Sequence, residues 1–142
     1  MVMPVESHQF DIETRGNCEV LNLMTRVAEC LNAGRISDGI VTVFVIGSTA
    51  SITTTEFEPG LANHDLKAAF EALAPEDGDY RHEATWNDDN GHAHVRASIV
   101  GPSVTVPLVG RDLQLGTWQQ IVLIDFDTRP RTRRVMVQVL GE

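Results

Sequence analysis

Ile40-Val41-Thr42-Val43-Phe44-Val45-Ile46, followed by Gly47-Ser48 and then by Ala50-Ser51-Ile52-Thr53-Thr54-Thr55, decides the β character of this chain. β-branched and aromatic side chains fit a pleated, packed surface, so the first run reads as a buried strand. The Thr-rich run continues as a second strand beyond the Gly-Ser break. Upstream, His8 to Thr14 alternates in strand fashion with Phe10 and Ile12 on one face. Downstream, the last third reads as all β, with strands expected at about 92–100, 103–109, 113–125 and 133–140. Gly101-Pro102, Gly110-Arg111-Asp112 and an Arg-rich turn separate them. Alternation in Arg134-Val135-Met136-Val137-Gln138-Val139-Leu140 is imperfect, which suggests a strand buried on both faces.

Helical spacing occurs twice. Asn17 to Asn32 sets Val20, Met24, Val27, Ala28 and Leu31 on one stripe with Gly34 as a C-terminal cap. Leu61 to Leu73 reads as a shorter helix ended by Ala74-Pro75. From Pro75 to Gly91 the chain is polar without a clear period, and loops of that length in compact domains tend to carry function. The expected architecture is one α+β domain over 1–142, an antiparallel β-rich sandwich or open barrel with two helices on one side.

A chain of 142 residues with 42% hydrophobic content suits a single core. No stretch approaches the ~20 apolar residues of a membrane span, and Met1 to His8 lacks the basic start and apolar run of a signal peptide. A cytoplasmic protein without a membrane partner is expected. Acidic residues outnumber basic ones 20 to 11, so no broad basic surface exists to neutralise phosphates and nucleic acid is excluded as a partner. Lys67 is the sole lysine. The one basic cluster, Arg129, Arg131, Arg133 and Arg134, reads as a solvated turn or as a local anion site. Cys18 and Cys30, placed on one helix, would lie about 18 Å apart, beyond disulfide reach, and read as reduced structural thiols.

Three of the five histidines fall within Tyr80-Arg81-His82-Glu83-Ala84-Thr85-Trp86-Asn87-Asp88-Asp89-Asn90-Gly91-His92-Ala93-His94-Val95-Arg96. On a strand over 92–100, His92, His94 and Arg96 project from one face, with His92 and His94 about 7 Å apart at Cα. Two such imidazoles can close on one ion, and His82, returning from the loop, supplies a third nitrogen while leaving coordination positions open. Histidines in a polar loop also occur simply solvated or hydrogen-bonded, and that reading stays beside the metal one. His64, in Ala62-Asn63-His64-Asp65-Leu66, reads as a solvated helix residue.

With these segments in place, the chain resembles the YjbQ family, some of whose members are described as secondary thiamine-phosphate synthases. The resemblance rests on Phe44-Val-Ile-Gly-Ser-Thr-Ala-Ser-Ile-Thr-Thr-Thr-Glu56, Leu73-Ala-Pro-Glu-Asp-Gly-Asp-Tyr-Arg-His82, Gly91-His-Ala-His-Val-Arg-Ala-Ser-Ile-Val-Gly-Pro-Ser103, Leu115-Gly-Thr-Trp-Gln-Gln-Ile121 and Leu140-Gly-Glu. It implies a small β-rich fold, a homotrimer, and a cleft near subunit contacts whose histidines hold a metal ion. Many members carry His-Thr-Ser or His-Thr-Thr where this chain has Gly47-Ser48-Thr49, so it resembles a Gly-Ser-Thr subgroup lacking one histidine of the usual three. His82 and His94 match the other two, and His92 is expected to replace the missing one.

Joining a pyrimidine pyrophosphate to a thiazole phosphate needs a cation and donors for the leaving group, a ring platform and a second anion site. Arg96 is the expected phosphate fork beside the metal. Ser48 and Thr49 are expected to bind an anion at the strand break. Trp118 is expected to stack on a ring or to fill the core, with Trp86 as the alternative platform. Glu56 is the expected base or histidine-orienting carboxylate, and Asp88 and Asp89 are further acidic candidates. A three-histidine site suits Zn²⁺, while pyrophosphate chemistry commonly uses Mg²⁺. Three functions follow as expectations: a metal-dependent transferase acting on thiamine precursors, as the resemblance implies, a metal-assisted hydrolase of a small phosphorylated or amide substrate, and a non-catalytic metal-binding trimer.

Overall fold

A computed structural model describes residues 2–142, so the first residue of the expected 1–142 domain lies outside the described residues. Eight strands form two antiparallel sheets. The larger takes β1 (Val5–Thr14), β3 (Gly39–Ile46), β5 (Ser103–Val109), β6 (Asp112–Leu113) and β8 (Arg131–Gly141) in the order β1-β8-β3-β5-β6. The smaller takes β2 (Glu19–Asn22), β4 (Ala50–Thr55) and β7 (Gln120–Asp125) in the order β2-β7-β4. Four helices complete the fold: α1 (Met24–Ala33), α2 (Leu66–Leu73), α3 (Arg81–Trp86) and α4 (Gly91–Val100), with a wide helical turn at Leu61–Asp65 running into α2. The α+β sandwich expected from the sequence is the architecture found.

The two sheets pack face to face around one apolar cluster. Val41, Val43 and Val45 of β3 and Val135, Val137 and Val139 of β8 supply one wall; Ile52, Ile121 and Leu123 supply the other. Leu23 and Val27 of the α1 region join the same cluster. The opposite face of the smaller sheet is covered by helices, where Val20, Val122, Ile124 and Phe126 meet Ala62, Ala93 and Ala97. Phe70 of α2 sets its ring edge-on to Phe126, with centroids 4.8 Å apart and planes at 73°. β7 is therefore apolar on both faces, and each of its fully buried aliphatic side chains contributes about 1.5–3 kcal/mol.

β3 and β8 differ from what their composition suggests. Both alternate, with valines inward and Ile40, Phe44, Ile46, Arg134, Gln138 and Leu140 exposed. The expected full burial of β3 and two-sided burial of β8 are thus corrected: among the described residues no layer covers the outer face of the larger sheet. Polar pairs on that face are tied to one another, Gln138 Nε2 donating to Ser7 Oγ at 3.0 Å and Thr42 meeting Thr105 at 3.2 Å.

Two segments take the other secondary structure. Residues 92–100, expected as a strand, form α4. Their alternation of polar and apolar residues is real, but burial follows His92-Ala93 and Arg96-Ala97, pairs four residues apart that share one side of a helix. Gly101 ends the helix at φ 94°, donating its backbone N–H to Ala97, and Pro102 follows. Residues 17–22, expected as the first turns of a helix, form a turn and β2 instead, paired through Glu19 to Asn22 with Asp125 to Val122 of β7. The helix starts at Met24. Cys18 is buried in that turn and Cys30 is half-buried on α1, both as free thiols. The stretch expected to be a loop up to Gly91 contains α3.

Candidate metal centre

α3 begins after Tyr80, whose backbone is extended, and ends at Asn87 in the left-handed region at φ 53°. That reversal returns Asp88 to His82, placing Oδ1 3.0 Å from Nδ1. Glu83 Oε1 lies 3.4 Å from the same nitrogen. One ligand atom from each of His82, Glu83 and Asp88 falls within 4.8 Å of the others, on half-buried side chains. The His94 ring, in the first turn of α4, stands 4.5 Å from the His82 ring between centroids.

Asp88 Oδ1 is buried and has no hydrogen-bond partner despite its closeness to His82. A carboxylate oxygen in that state carries a desolvation penalty that a cation would remove. The residues present fit a divalent ion: an imidazole and two carboxylates, with a second imidazole at hand, suit Zn²⁺ or another transition ion. Glu83 also accepts the Gly91 backbone N–H at 2.6 Å, tying α3 to the start of α4. A β-carbon at Gly91 would run into Glu83 and Tyr80, so only glycine permits this approach.

The expected site residues separate in space. On a helix His92 and His94 lie about 200° apart around the axis, so the shared strand face that made His92 a ligand is absent. His92 is 2% exposed and its Nδ1 meets no partner. Burial, then the Arg96 charge, lowers its pKa, and the imidazole is neutral at pH 7. Arg96 is buried too: Nε donates to the Ala74 carbonyl at 2.9 Å and Nη2 to Glu71 at 2.6 Å. It clamps the end of α2 to α4, and the expected open phosphate fork is corrected accordingly. Glu56 is exposed beyond β4, outside the His82 cluster. Trp118 is 73% exposed, which removes its core reading, and Trp86 is 70% exposed. Asp89 accepts from Thr128 Oγ1 at 2.9 Å. His64 is exposed beside Asp65.

Ser48 is exposed, but Thr49 is buried and committed: its hydroxyl donates to Asp127 at 2.9 Å and accepts from Arg133 at 2.7 Å. These bonds belong to a buried network that the sequence reading missed. Arg133 grips Asp125 through Nε at 2.6 Å and Nη2 at 2.9 Å, and Thr14 donates to Asp125 at 2.6 Å. Asp127 also receives Arg131 Nε at 3.0 Å and Asn90 Nδ2 at 3.4 Å. Burial alone would raise the Asp127 pKa, but hydrogen bonds from Thr49 and Thr128 and the Arg131 charge outweigh it and hold it low. The Arg-rich turn is therefore half solvated and also paired: Arg133 is buried, while the half-exposed Arg129 reaches Asp89 and the half-exposed Arg134 reaches Asp11 at 3.2 Å. The available signal was the i, i+2 spacing of Asp125, Asp127 against Arg131, Arg133 on neighbouring strand ends.

The fold agrees with a family match. The family described as UPF0047 protein YjbQ-like matches residues 8–142. A UPF0047 protein of Methanothermobacter thermautotrophicus is 34% identical over 140 residues, covering 99% of this chain and 95% of its own. Another from Archaeoglobus fulgidus is 35% identical over 132 residues, covering 93% and 99%. The crystal structure of a hypothetical protein from Aeropyrum pernix K1 superposes with a TM-score of 0.89 at 34% identity, covering 96% of this chain and 99% of that one. A YbjQ-like protein of unknown function from Sulfolobus solfataricus P2 superposes at 0.87 with 29% identity, covering 98% and 100%. This chain belongs to the UPF0047 (YjbQ-like) family. Among the described residues no helix is long and apolar enough to cross a membrane.

Proposed function

We propose that this protein is a metal-dependent enzyme whose ion is held by His82 and Asp88, with Glu83 or His94 completing the set. The single observation that carries the reading is the buried Asp88 Oδ1, 3.0 Å from an imidazole nitrogen and without a hydrogen bond. An ion in such a mixed set polarises a substrate oxygen or lowers the pKa of water. His82 and Asp88 would bind it, the left-handed turn at Asn87 would orient Asp88, and whichever of Glu83 and His94 stays unligated could take a proton. Zn²⁺ suits these donors better than Mg²⁺, which prefers an all-oxygen shell.

The reaction best supported is metal-assisted hydrolysis of a small substrate. Arg96, the residue that would have neutralised a leaving pyrophosphate, is engaged by Glu71 and Ala74. Thiamine-phosphate synthesis is the second reading, favoured by the two exposed indoles of Trp86 and Trp118 as ring platforms. Protein purified without a histidine tag should carry about one divalent ion per chain by elemental analysis, and His82→Ala should carry almost none. Turnover of a single phosphorylated or amide substrate supports hydrolysis. Product only from pyrimidine pyrophosphate and thiazole phosphate together supports the synthase.

We further propose a homotrimer. The uncovered outer face of the larger sheet, with Ile40, Phe44, Ile46 and Leu140, is the surface assembly would bury. Light scattering should give about three chain masses, and Phe44→Asp should reduce it to one.

A further inference from the structure

Gly47 stands where the β3 to β4 connection crosses Arg133. Its φ is 156°, and a β-carbon built there would lie 2.7 Å from Arg133 Nη1. The Arg133 side chain is only 8% exposed. Nε and Nη2 are consumed by Asp125 and Thr49, whereas Nη1 donates to no described atom. It is not among the sealed, unpartnered atoms either, so water reaches it. A rigidly held guanidinium nitrogen thus opens toward solvent beside an exposed glycine and an exposed serine, Ser48.

We propose that this opening is a subsite for a substrate carboxylate, with Arg133 Nη1 as its donor and Gly47 as the residue that keeps it open. A guanidinium N–H donating to a carboxylate oxygen makes a short, charge-assisted bond, and Asp125 and Thr49 hold the donor in place beforehand. Charge selects the class of oxygen. Arg131 and Arg133 are balanced by Asp125 and Asp127, and the chain carries a net charge of −9. The net negative charge repels a dianionic phosphate more strongly than a singly charged carboxylate, and the one free N–H is enough for the carboxylate. Asn90, which donates to Asp127, lies two residues beyond Asp88, so the same loop links the Asp127 end of this network to the proposed metal centre. The inference does not rest on the metal reading, because it uses none of the residues assigned to the ion.

The test uses wild-type protein stripped with a chelator and labelled with ¹⁵N-arginine, the Arg133 signals being assigned by comparison with Arg133→Lys. Titration with acetate should shift the Arg133 side-chain signals, and inorganic phosphate should shift them less. Gly47→Ala, whose methyl crowds Nη1, should weaken acetate binding at least about tenfold, the loss of one charge-assisted bond. Absence of an acetate-dependent shift at Arg133 in the wild type overturns the subsite, and this reading stands even where Gly47→Ala fails to fold. Equal acetate affinity in folded Gly47→Ala also overturns it, and tighter binding of phosphate than acetate overturns the carboxylate assignment. Metal binding by the same samples is measured separately, so either proposal can fail alone.

Discussion

Two polar clusters lie on either side of Asn90, and they are built on opposite terms. Around Asp125 and Asp127 every carboxylate oxygen has a donor, supplied by Arg131, Arg133, Thr14, Thr49, Asn90 or a backbone amide. Around His82 the carboxylate of Asp88 presents a buried oxygen that faces the imidazole Nδ1 at 3.0 Å and makes no hydrogen bond to any described residue. Satisfied charges that are 0% and 1% exposed belong to the scaffold, since breaking one strands its partner in a low-dielectric interior. An unsatisfied, half-buried carboxylate beside an imidazole costs stability that the scaffold must offset, and it is the feature on which the proposed ion site rests.

The contrast is broken most severely by removing Arg133. Arg133→Met leaves Asp125 buried without its guanidinium and should cost about 3–5 kcal/mol in chemical denaturation. His82→Ala should do the reverse, lowering metal affinity by about a hundredfold or more while moving the denaturation midpoint very little. His92→Leu should leave metal content unchanged, which separates the helix-buried histidine from the cluster.

A smaller effect is expected at Arg96. Its partner Glu71 is 47% exposed, so the ion pair itself is worth little. The loss in Arg96→Met comes mainly from the Ala74 carbonyl and should be about 1–2 kcal/mol by denaturation. The smallest effect is the pH dependence at His92. Its folded pKa is depressed by burial and by Arg96, against the nearby carboxylates of Glu76, Glu71 and Glu83. The unfolded chain therefore binds the proton more readily, and stability present above about pH 6.5 falls as the pH drops toward the folded pKa. Denaturation across that window should show the slope in the wild type and lose it in His92→Leu.

Much of this was readable in the chain, and the part that was not has identifiable causes. The strand signals at Ile40 to Ile46, Ala50 to Thr55 and 103–109 held because β-branched residues dominate them. α4 was misread because His92-Ala93-His94-Val95-Arg96-Ala97 alternates polar and apolar residues with a period of two. The competing evidence was helical: alanines four apart and a Gly-Pro stop at 101–102. Reading the strand set His92 and Arg96 beside His94 and drew both into the site. His82, His94 and the acidic candidate Asp88, all singled out in the sequence, do lie together, since a run of imidazoles and carboxylates this short stays local whatever its secondary structure. Glu83 was passed over although it adjoins His82. The Asp125–Arg133 network stayed hidden because its members sit on strands of different sheets, and only the packing of one sheet against the other brings them together.

The place of β8 in the larger sheet has a consequence for how the protein is made. β8 lies between β1 and β3, pairing Val5 with Leu140 and Ile40 with Leu140 across the sheet. On the ribosome, residues 131–141 emerge after every strand they join, so β1 and β3 wait with unfilled edges until β8 has been made. Native pairing of that sheet cannot complete until translation has passed β8, and the waiting edges are where nascent-chain chaperones would have to act.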